Sequence, residues 1–337
     1  MNLLFVCDHH LDPRLVKRKS WIEKKVSKCT VYVDKTRGGH FSNQGIEELD
    51  LKSLKISDII NNDKIYISGG RVIISHALYF ALARLLKKDV VYEIPDLPLR
   101  EKSEIKNRLI GFFFSSLVSI LFKRVVITSE AFKRKLPKNI DYFECENLPN
   151  HPKFIEKKET NNKKINISFV GVIRYIPQMK MLIKYASLRN IKVNFYGGPE
   201  GPISELKQYI NSFRDDIDVN FYGRFIQSDL DDIYSVTDFV YSVYDVSQEN
   251  VRLALPNKLY ESTLYRTPII VANNTYLGEV VDKEGSGFSV CSRKFSLFCE
   301  QMDSGLKNQY EFSTDILNEK IKNQENEFMT WFNNCQG

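Results

Sequence analysis

The residues best suited to binding an anion lie in the stretch 249–262, ENVRLALPNKLYES. Proline is favoured where a helix starts, because its missing N–H would have no partner there. The spacing predicts a helix from Pro256, with the amides of Asn257, Lys258 and Leu259 unbonded at the positive end of the helix dipole. Upstream, DFVYSVY (238–244) reads as a strand ending near Asp245, followed by a loop. A helix mouth beyond the carboxyl end of a parallel strand is where phosphates bind in open α/β sheets. Lys258 would add a point charge for a pyrophosphate. Glu261, three residues on and on the same face, could accept hydrogen bonds from ribose hydroxyls. The alternative is an ordinary capped helix carrying a solvated Lys–Glu pair.

Other candidates carry two readings each. YEIPDLPL (92–99) closes a strand and offers Glu93 and Asp96, either of which could orient a hydroxyl as general base. A helix cap or a loop hydrogen bond explains Asp96 equally well. DHHLDPRL (8–15) follows the first strand, so Asp12 and Arg14 should border the same end of the sheet. Asp12 before Pro13 reads as an N-cap, which leaves Arg14 as the candidate for an anion. His76 lies inside an apolar stretch and is read as a satisfied core residue. Gly69-Gly70 could admit a ligand close to the backbone, or form a bare turn.

Metal chemistry is not expected. Asp229-Leu230-Asp231 has the letters of a metal-binding D-x-D, but it falls where a helix should start, and acidic residues are ordinary there. His9 and His10 are neighbours on a turn and do not converge on one ion. Six cysteines (Cys7, Cys29, Cys145, Cys291, Cys299, Cys335) are scattered without a C-x-x-C pair, as reduced thiols would be. No cofactor and no metal is read from the chain.

The elements that must carry these residues alternate from end to end. Strand-like runs occur at 3–7, 30–33, 64–67, 90–94, 124–129 and 141–145, and again at 165–170, 191–196, 218–222, 238–244, 268–272 and 287–290. Helical patterns separate them, which argues for parallel sheets covered on both faces. RVIISHALYFALARLLKK (71–88) is apolar around most of its circumference and predicts a buried helix. IGFFFSSLVSILFKR (110–124) is also read as a buried helix, with an interfacial membrane anchor as the alternative. LPNHPKFIEKKETNNKK (148–164) breaks the rhythm and reads as a linker. The expected organisation is a domain over 1–150, a linker over 151–164, a second domain over 165–312, and a C-terminal helix over 313–337 that packs back across the linker.

A chain of 337 residues suits two such domains, and 43% hydrophobic with 27% charged residues is a globular composition. No run reaches the roughly 20 apolar residues of a membrane span. MNLLFVC is too short for a secretory core, so the expected address is the cytoplasm. The formal net charge of +6 is unevenly spread. Lys17, Arg18, Lys19, Lys24, Lys25 and Lys28 crowd the first helix, and Arg100, Lys102, Lys106, Arg108, Lys123 and Arg124 surround a later one. These clusters suggest a phosphate-bearing partner or an anionic membrane face, or else solvated helix surfaces. A nucleic-acid partner is not expected, since the aromatic residues lie in core-like strands.

LALPNKLYESTLYRTPIIV, followed by TYLGEVV and GSGFSV, resembles the donor-binding region of GT-B glycosyltransferases of family 4, which includes many enzymes of bacterial capsule and lipopolysaccharide synthesis. FVGVIRYIPQMKMLIKYA (169–186), VNFYGG (193–198), VNFYGRF (219–225) and LDDIYSVTDFVYSVYD (230–245) follow in that family's order. In the first half, DPRLVKRKSWIEKKVSKCTVYV, VITSEAFKRKLP and ENLPN are similar more loosely. The resemblance implies two Rossmann-like α/β domains facing each other across a cleft, the first binding acceptor and the second donor. It implies that Arg174 and Lys258 neutralise a nucleotide-sugar diphosphate, that Glu261 holds the ribose, and that Gly223-Arg224-Phe225 lies against the base. Gly171, Tyr175, Gly197, Tyr244, Asn257 and Leu259 complete the implied donor site. The family often carries a second glutamate where this chain has Leu253, and Glu249 in the same loop is the candidate substitute. Glu249, Asp96 and Arg14 are the candidate catalytic residues.

The expected activity is transfer, with retention, of a sugar from a nucleoside-diphosphate donor to a lipid-linked bacterial surface glycan, at the cytoplasmic side and in peripheral contact with the membrane. A catalytically silent subunit that supports a partner enzyme is one rival, and a nucleotide-sugar epimerase is another.

Overall fold

The computed structural model describes residues 1–8, 13–34, 48–99, 103–150, 164–214 and 216–334. Asp12, His9, His10 and most of the expected linker lie outside the described residues. The chain forms two compact units, Met1–Asn147 with Asn323–Gly337, and Leu148–Lys322.

The first unit runs β1 (Asn2–Cys7), α1 (Pro13–Glu23), β2 (Lys28–Val33), β3 (Glu48–Asp50), α2 (Ile56–Asn61), β4 (Lys64–Ser68), α3 (Gly70–Ser75), α4 (Ala77–Leu85), β5 (Asp89–Ile94), α5 (Glu104–Leu121), β6 (Arg124–Ile127) and β7 (Asp141–Glu144). Its strands pair in parallel in the order β3-β2-β1-β4-β5-β6-β7. The central strand β1 is buried from Leu3 to Cys7, as a parallel strand covered on both faces must be.

The second unit runs β8 (Ile165–Val170), α6 (Ile176–Ala186), β9 (Ile191–Tyr196), α7 (Glu200–Ile210), β10 (Val219–Gly223), α8 (Leu230–Ser235), β11 (Phe239–Ser242), α9 (Glu249–Leu253), α10 (Asn257–Leu264), β12 (Ile269–Ala272), α11 (Tyr276–Glu284), β13 (Gly287–Val290) and α12 (Phe295–Gly305). Its order, β10-β9-β8-β11-β12-β13, is that of a Rossmann sheet. In each unit the order reverses once, between β1 and β4 and between β8 and β11. Those crevices are where such sheets bind ligands. Helix α13 (Thr314–Asn333) gives Leu317 and Ile321 to the second core, while Phe328 and Phe332 belong to the first.

Several expectations need correction. Strand β3 was not foreseen, because three polar-flanked residues (ELD) carry no alternation. The stretch 71–88 is two helices that break at His76, and Ile74, Leu78 and Leu85 are exposed. An apolar circumference is therefore not a buried one here. His76 is a half-buried residue at that break, its Nδ1 2.8 Å from the Ser75 hydroxyl, and not a core residue.

The basic clusters are partly consumed inside the first unit, and Arg100 and Lys102 lie outside the described residues. Arg18 and Glu93 are each 1% exposed, with Arg18 Nε 3.0 Å from Glu93 Oε1. Lys19 pairs with Glu23, Lys24 with Glu325, and Lys17 donates to Gln324. Burial pulls the Lys17 ammonium down to about 8. Arg124 and Lys64 both pair with Asp89 and donate to the last carbonyls of α13, those of Trp331 and Phe332. Cations at a helix C-terminus complement its dipole. Lys17, Lys24, Lys64 and Arg124 thus hold the C-terminal helix, whereas Lys25, Lys28, Lys106, Arg108 and Lys123 are exposed.

Candidate functional site

The residues implied for donor binding gather at the carboxyl ends of β8 and β11, beside the reversal in strand order. Gly171 directly follows β8 with φ 134°, and Gly197 directly follows β9 with φ 136°. The amide of Gly171 donates to Tyr196 O at 2.8 Å, that of Ile173 to Gly198 O at 2.7 Å, and that of Gly197 to Gly223 O at 2.6 Å. A Cβ on Gly197 would lie 1.8 Å from the Gly171 carbonyl oxygen, so the turns can pass each other only as glycines.

Lys258 is the centre of this site. It is 9% exposed, and its Nζ donates to Tyr244 Oη at 2.9 Å. The ammonium lies 4.7 Å from the Phe169 ring centroid and 5.6 Å from that of Tyr244. A Cβ on Gly171 would come within 3.0 Å of it, so a side chain there would crowd the charge. Among the described residues no carboxylate forms an ion pair with Lys258. A cation this buried, held by a hydroxyl and two ring faces, can neutralise an anion brought beside it.

Tyr175 closes one side. It sits in the left-handed region (φ 55°, ψ 50°) at the start of α6, with its ring 5.1 Å from Tyr244 and its hydroxyl 3.4 Å from Gln248 Oε1. Arg174, in the same turn, is exposed, and no ion pair engages it among the described residues. Glu261 accepts from Tyr234 Oη at 3.0 Å. Burial raises its carboxyl above the usual range, and the neighbouring Lys258 and the Tyr234 hydroxyl only partly offset this. Tyr234 is itself buried and stacks on Tyr265 at 4.4 Å.

The helix mouth differs from expectation in two ways. Pro256 is the N-cap (φ −81°, ψ 158°), and α10 begins at Asn257. The amide of Leu259 donates to Pro256 O at 3.1 Å, because the first turn tightens to an i→i+3 bond. Leu259 is buried, so neither its amide nor its side chain is available to a ligand. The first-turn amides of Asn257 and Lys258 have no partner within the helix.

At the β10 end, Gly223 (φ 75°) has its carbonyl taken by Gly197. Arg224 is exposed and runs beside Gly198, its Cγ 3.8 Å from where a Cβ there would sit. Phe225 packs on the core. The loop expected after β11 contains the short helix α9, and Glu249 in it is 8% exposed and ion-paired with Arg252. Leu253 is buried at the position where the family often has glutamate.

In the first unit, Arg14 Nη1 donates to Pro95 O at 3.3 Å, which brings it to the turn that carries exposed Asp96. Glu93, however, is not offered to a ligand: Arg18 and the Tyr66 hydroxyl (2.6 Å) occupy both carboxylate oxygens. At Gly69 (φ 104°) the close neighbour is the Asp8 carboxylate, 2.1 Å from where a Cβ would be. Asp229 accepts from the Ile226 amide at 2.9 Å and Asp231 from Tyr265, so the D-x-D letters cap and brace a helix. Among the described residues no group of three or more His, Cys, Asp or Glu side chains converges.

Sequence reasoning missed Phe169, Tyr234 and Gln248. Each joins the site through a partner 20 or more residues away, and no local spacing signals it.

No family model matches the chain, and no curated protein matches it in sequence. Solved structures do match over nearly its whole length. The Anabaena protein HepE, solved in complex with UDP and glucose, aligns with TM-score 0.65 at 13% identity over 98% of this chain and 100% of its own. The fold is GT-B. A glycosyltransferase from Rickettsia africae aligns with TM-score 0.63 at 13% identity, over 98% and 94% of the two chains. The Methanocaldococcus jannaschii UDP-GlcNAc 2-epimerase, in complex with UDP-GlcNAc and UDP, aligns with TM-score 0.57 at 13% identity, over 98% and 100%. GT-B chains with different activities thus share this architecture.

Proposed function

We propose that the protein is a retaining glycosyltransferase of the hexosyl type, which moves a sugar from a nucleoside-diphosphate donor to a lipid-linked glycan acceptor of the bacterial capsule or lipopolysaccharide kind. The observation that carries this reading is the buried Lys258 ammonium, without a carboxylate partner among the described residues, between Gly171 and Tyr244. A leaving nucleoside diphosphate gains negative charge as the glycosidic C–O bond breaks, and a fixed cation stabilises that charge most where water is excluded. Lys258 and Arg174 supply positive charge, so no metal is needed. Glu261 holds the ribose. The acceptor oxygen bonds the anomeric carbon, and its proton passes to the departing phosphate, which fits the scarcity of free carboxylates beside Lys258. Arg14 and Asp96, at one turn of the first unit, orient the acceptor.

Uridine nucleotides are the first donors to test, since HepE was solved with UDP and the epimerase with UDP-GlcNAc. Thermal stability is measured against UDP, GDP, CMP, dTDP and ADP. One of them, at about 100 times its dissociation constant, is expected to stabilise wild type by about 2.7 kcal/mol and Lys258→Ala far less. If none stabilises wild type, the donor-site reading fails. Buried Leu253 favours a second reading, a silent subunit that binds nucleotide without turnover. The epimerase neighbour favours a third, and conversion of free donor without acceptor distinguishes it.

Glu261 adds a pH signature. Its raised folded-state value means that the native protein holds a proton that the unfolded chain has already lost, so stability falls as pH rises through that window. Ribose binding needs the carboxylate and is expected to weaken as pH falls through the same raised value. Glu261→Gln should therefore be at least as stable as wild type at pH 7. It should bind nucleotide about tenfold to a hundredfold more weakly, with the acid-side dependence gone. Calorimetric titration from pH 5 to 8 checks this; an unchanged pH profile in the variant would remove Glu261 from the site.

A further inference from the structure

Helix α5 is apolar on two opposite sides, and the core of the first unit uses one of them. Phe114, Val118 and Leu121 are buried. At 3.6 residues per turn, Ile105, Leu109, Phe112, Phe113 and Ile120 fall on the other side within an arc of about 100°. They are exposed, Ile105 to 75%, Phe112 to 66% and Phe113 to 68%. Exposed Lys106 and Arg108 flank this stripe, one along each edge, and exposed Lys123 follows the helix end. Glu104 is the acidic residue of the first turn. The neighbouring helix α4 shows Leu78 and Leu85 to solvent, and α2, beside α4, shows Ile56 and Ile60. Large apolar side chains gathered on adjacent helix faces mark an interaction surface.

We infer that this face of the first unit docks on an anionic lipid bilayer. Phe112, Phe113, Leu109 and Ile105 enter the boundary between headgroups and acyl chains. Lys106 and Arg108 extend to the lipid phosphates while their stems cover the edge of the stripe. The basic rim decides between occupants. In an isologous dimer, cations on both edges of the stripe would meet their own copies, whereas anionic headgroups neutralise every one of them. No helix among the described residues is long and apolar enough to cross a membrane, so the contact lies in the interface plane. The inference goes beyond the proposed donor chemistry: its residues belong to the first unit, and it holds whatever the substrate.

The test is co-sedimentation of the full chain with vesicles of phosphatidylcholine, with and without phosphatidylglycerol. Light scattering without lipid and a nucleotide-binding control accompany it. Wild type is expected to bind the anionic vesicles at least tenfold more tightly than the zwitterionic ones, and less tightly as salt rises. Phe112→Ser with Phe113→Ser, and separately Lys106→Glu with Arg108→Glu, should each lower that binding at least tenfold, with nucleotide binding and melting temperature unchanged. The inference is overturned if wild type ignores anionic vesicles, if it binds both kinds equally, or if the variants bind like wild type. It is equally overturned if scattering reveals a dimer that the Phe112/Phe113 variant dissolves.

Discussion

Lys258→Ala is expected to turn over nucleotide-sugar at about a hundredth to a thousandth of the wild-type rate, the usual cost of removing one group aimed at charge developing in the transition state. The loss should fall on kcat and kcat/KM together, because the diphosphate carries more charge as it leaves than while bonded to the sugar. Stability should not fall in parallel. The ammonium is buried against Phe169, Tyr244 and Gly171 without a carboxylate at contact distance among the described residues. Deleting it removes the desolvation cost of a buried charge together with its attraction to the neighbouring Glu261 carboxylate. Steady-state kinetics and denaturant unfolding of the same preparation check both halves. Turnover within threefold of wild type would exclude Lys258 from the chemistry. A large loss of stability would mean that the lysine is structural.

Glu93→Ala is expected to destabilise the first unit by about 3–5 kcal/mol, since it leaves the buried Arg18 guanidinium without its counter-ion. Arg18 Nε lies 3.0 Å from Glu93 Oε1, and Tyr66 Oη donates to Oε2 at 2.6 Å. Arg18 also donates to the carbonyls of Arg14 and Cys145, at 3.0 Å each, and neutral carbonyls cannot neutralise the charge. Urea unfolding followed by tryptophan fluorescence reads this loss, since Trp21 and Trp331 both belong to the first unit. The double variant Arg18→Met/Glu93→Leu should recover much of it, because an apolar pair of similar volume avoids both desolvation costs. This outcome also separates two roles for Glu93. A catalytic carboxylate would leave the double variant stable but inactive, whereas the ion-pair role leaves it stable and active. Recovered stability without recovered turnover would restore Glu93 to the candidates for general base.

The fold was legible because its signals are local. Runs such as NLLFVC and INISFV announce parallel strands buried on both faces, and their alternation with helical patterns limits the connections to βαβ units. The glycines after β8 and β9 and at the end of β10, with the proline before α10, mark turns and a helix start through backbone conformation alone, so the neighbourhood of Lys258 could be read from the chain. Glu261 and Lys258 share a face because helical geometry places residues three apart together.

Partnership was a different matter. Tyr244 reaches Lys258 across 14 positions, Tyr234 reaches Glu261 across 27, and Arg18 reaches the Cys145 carbonyl across 127. Strand order sets those meetings, and a residue's type does not encode which strand lies beside its own. The same gap explains why basic residues of α1 were read as surface when Arg18 is 1% exposed, and why the apolar α5 was read as buried when Phe113 is 68% exposed. Periodicity states that a helix has an apolar face; how many neighbours remain to cover it depends on packing. The chain thus specified its strands, helices and turns through interactions a few residues long. Packing chose which charges would be neutralised inside, left the Lys258 ammonium buried without a carboxylate at contact distance among the described residues, and left the outer stripe of α5 exposed.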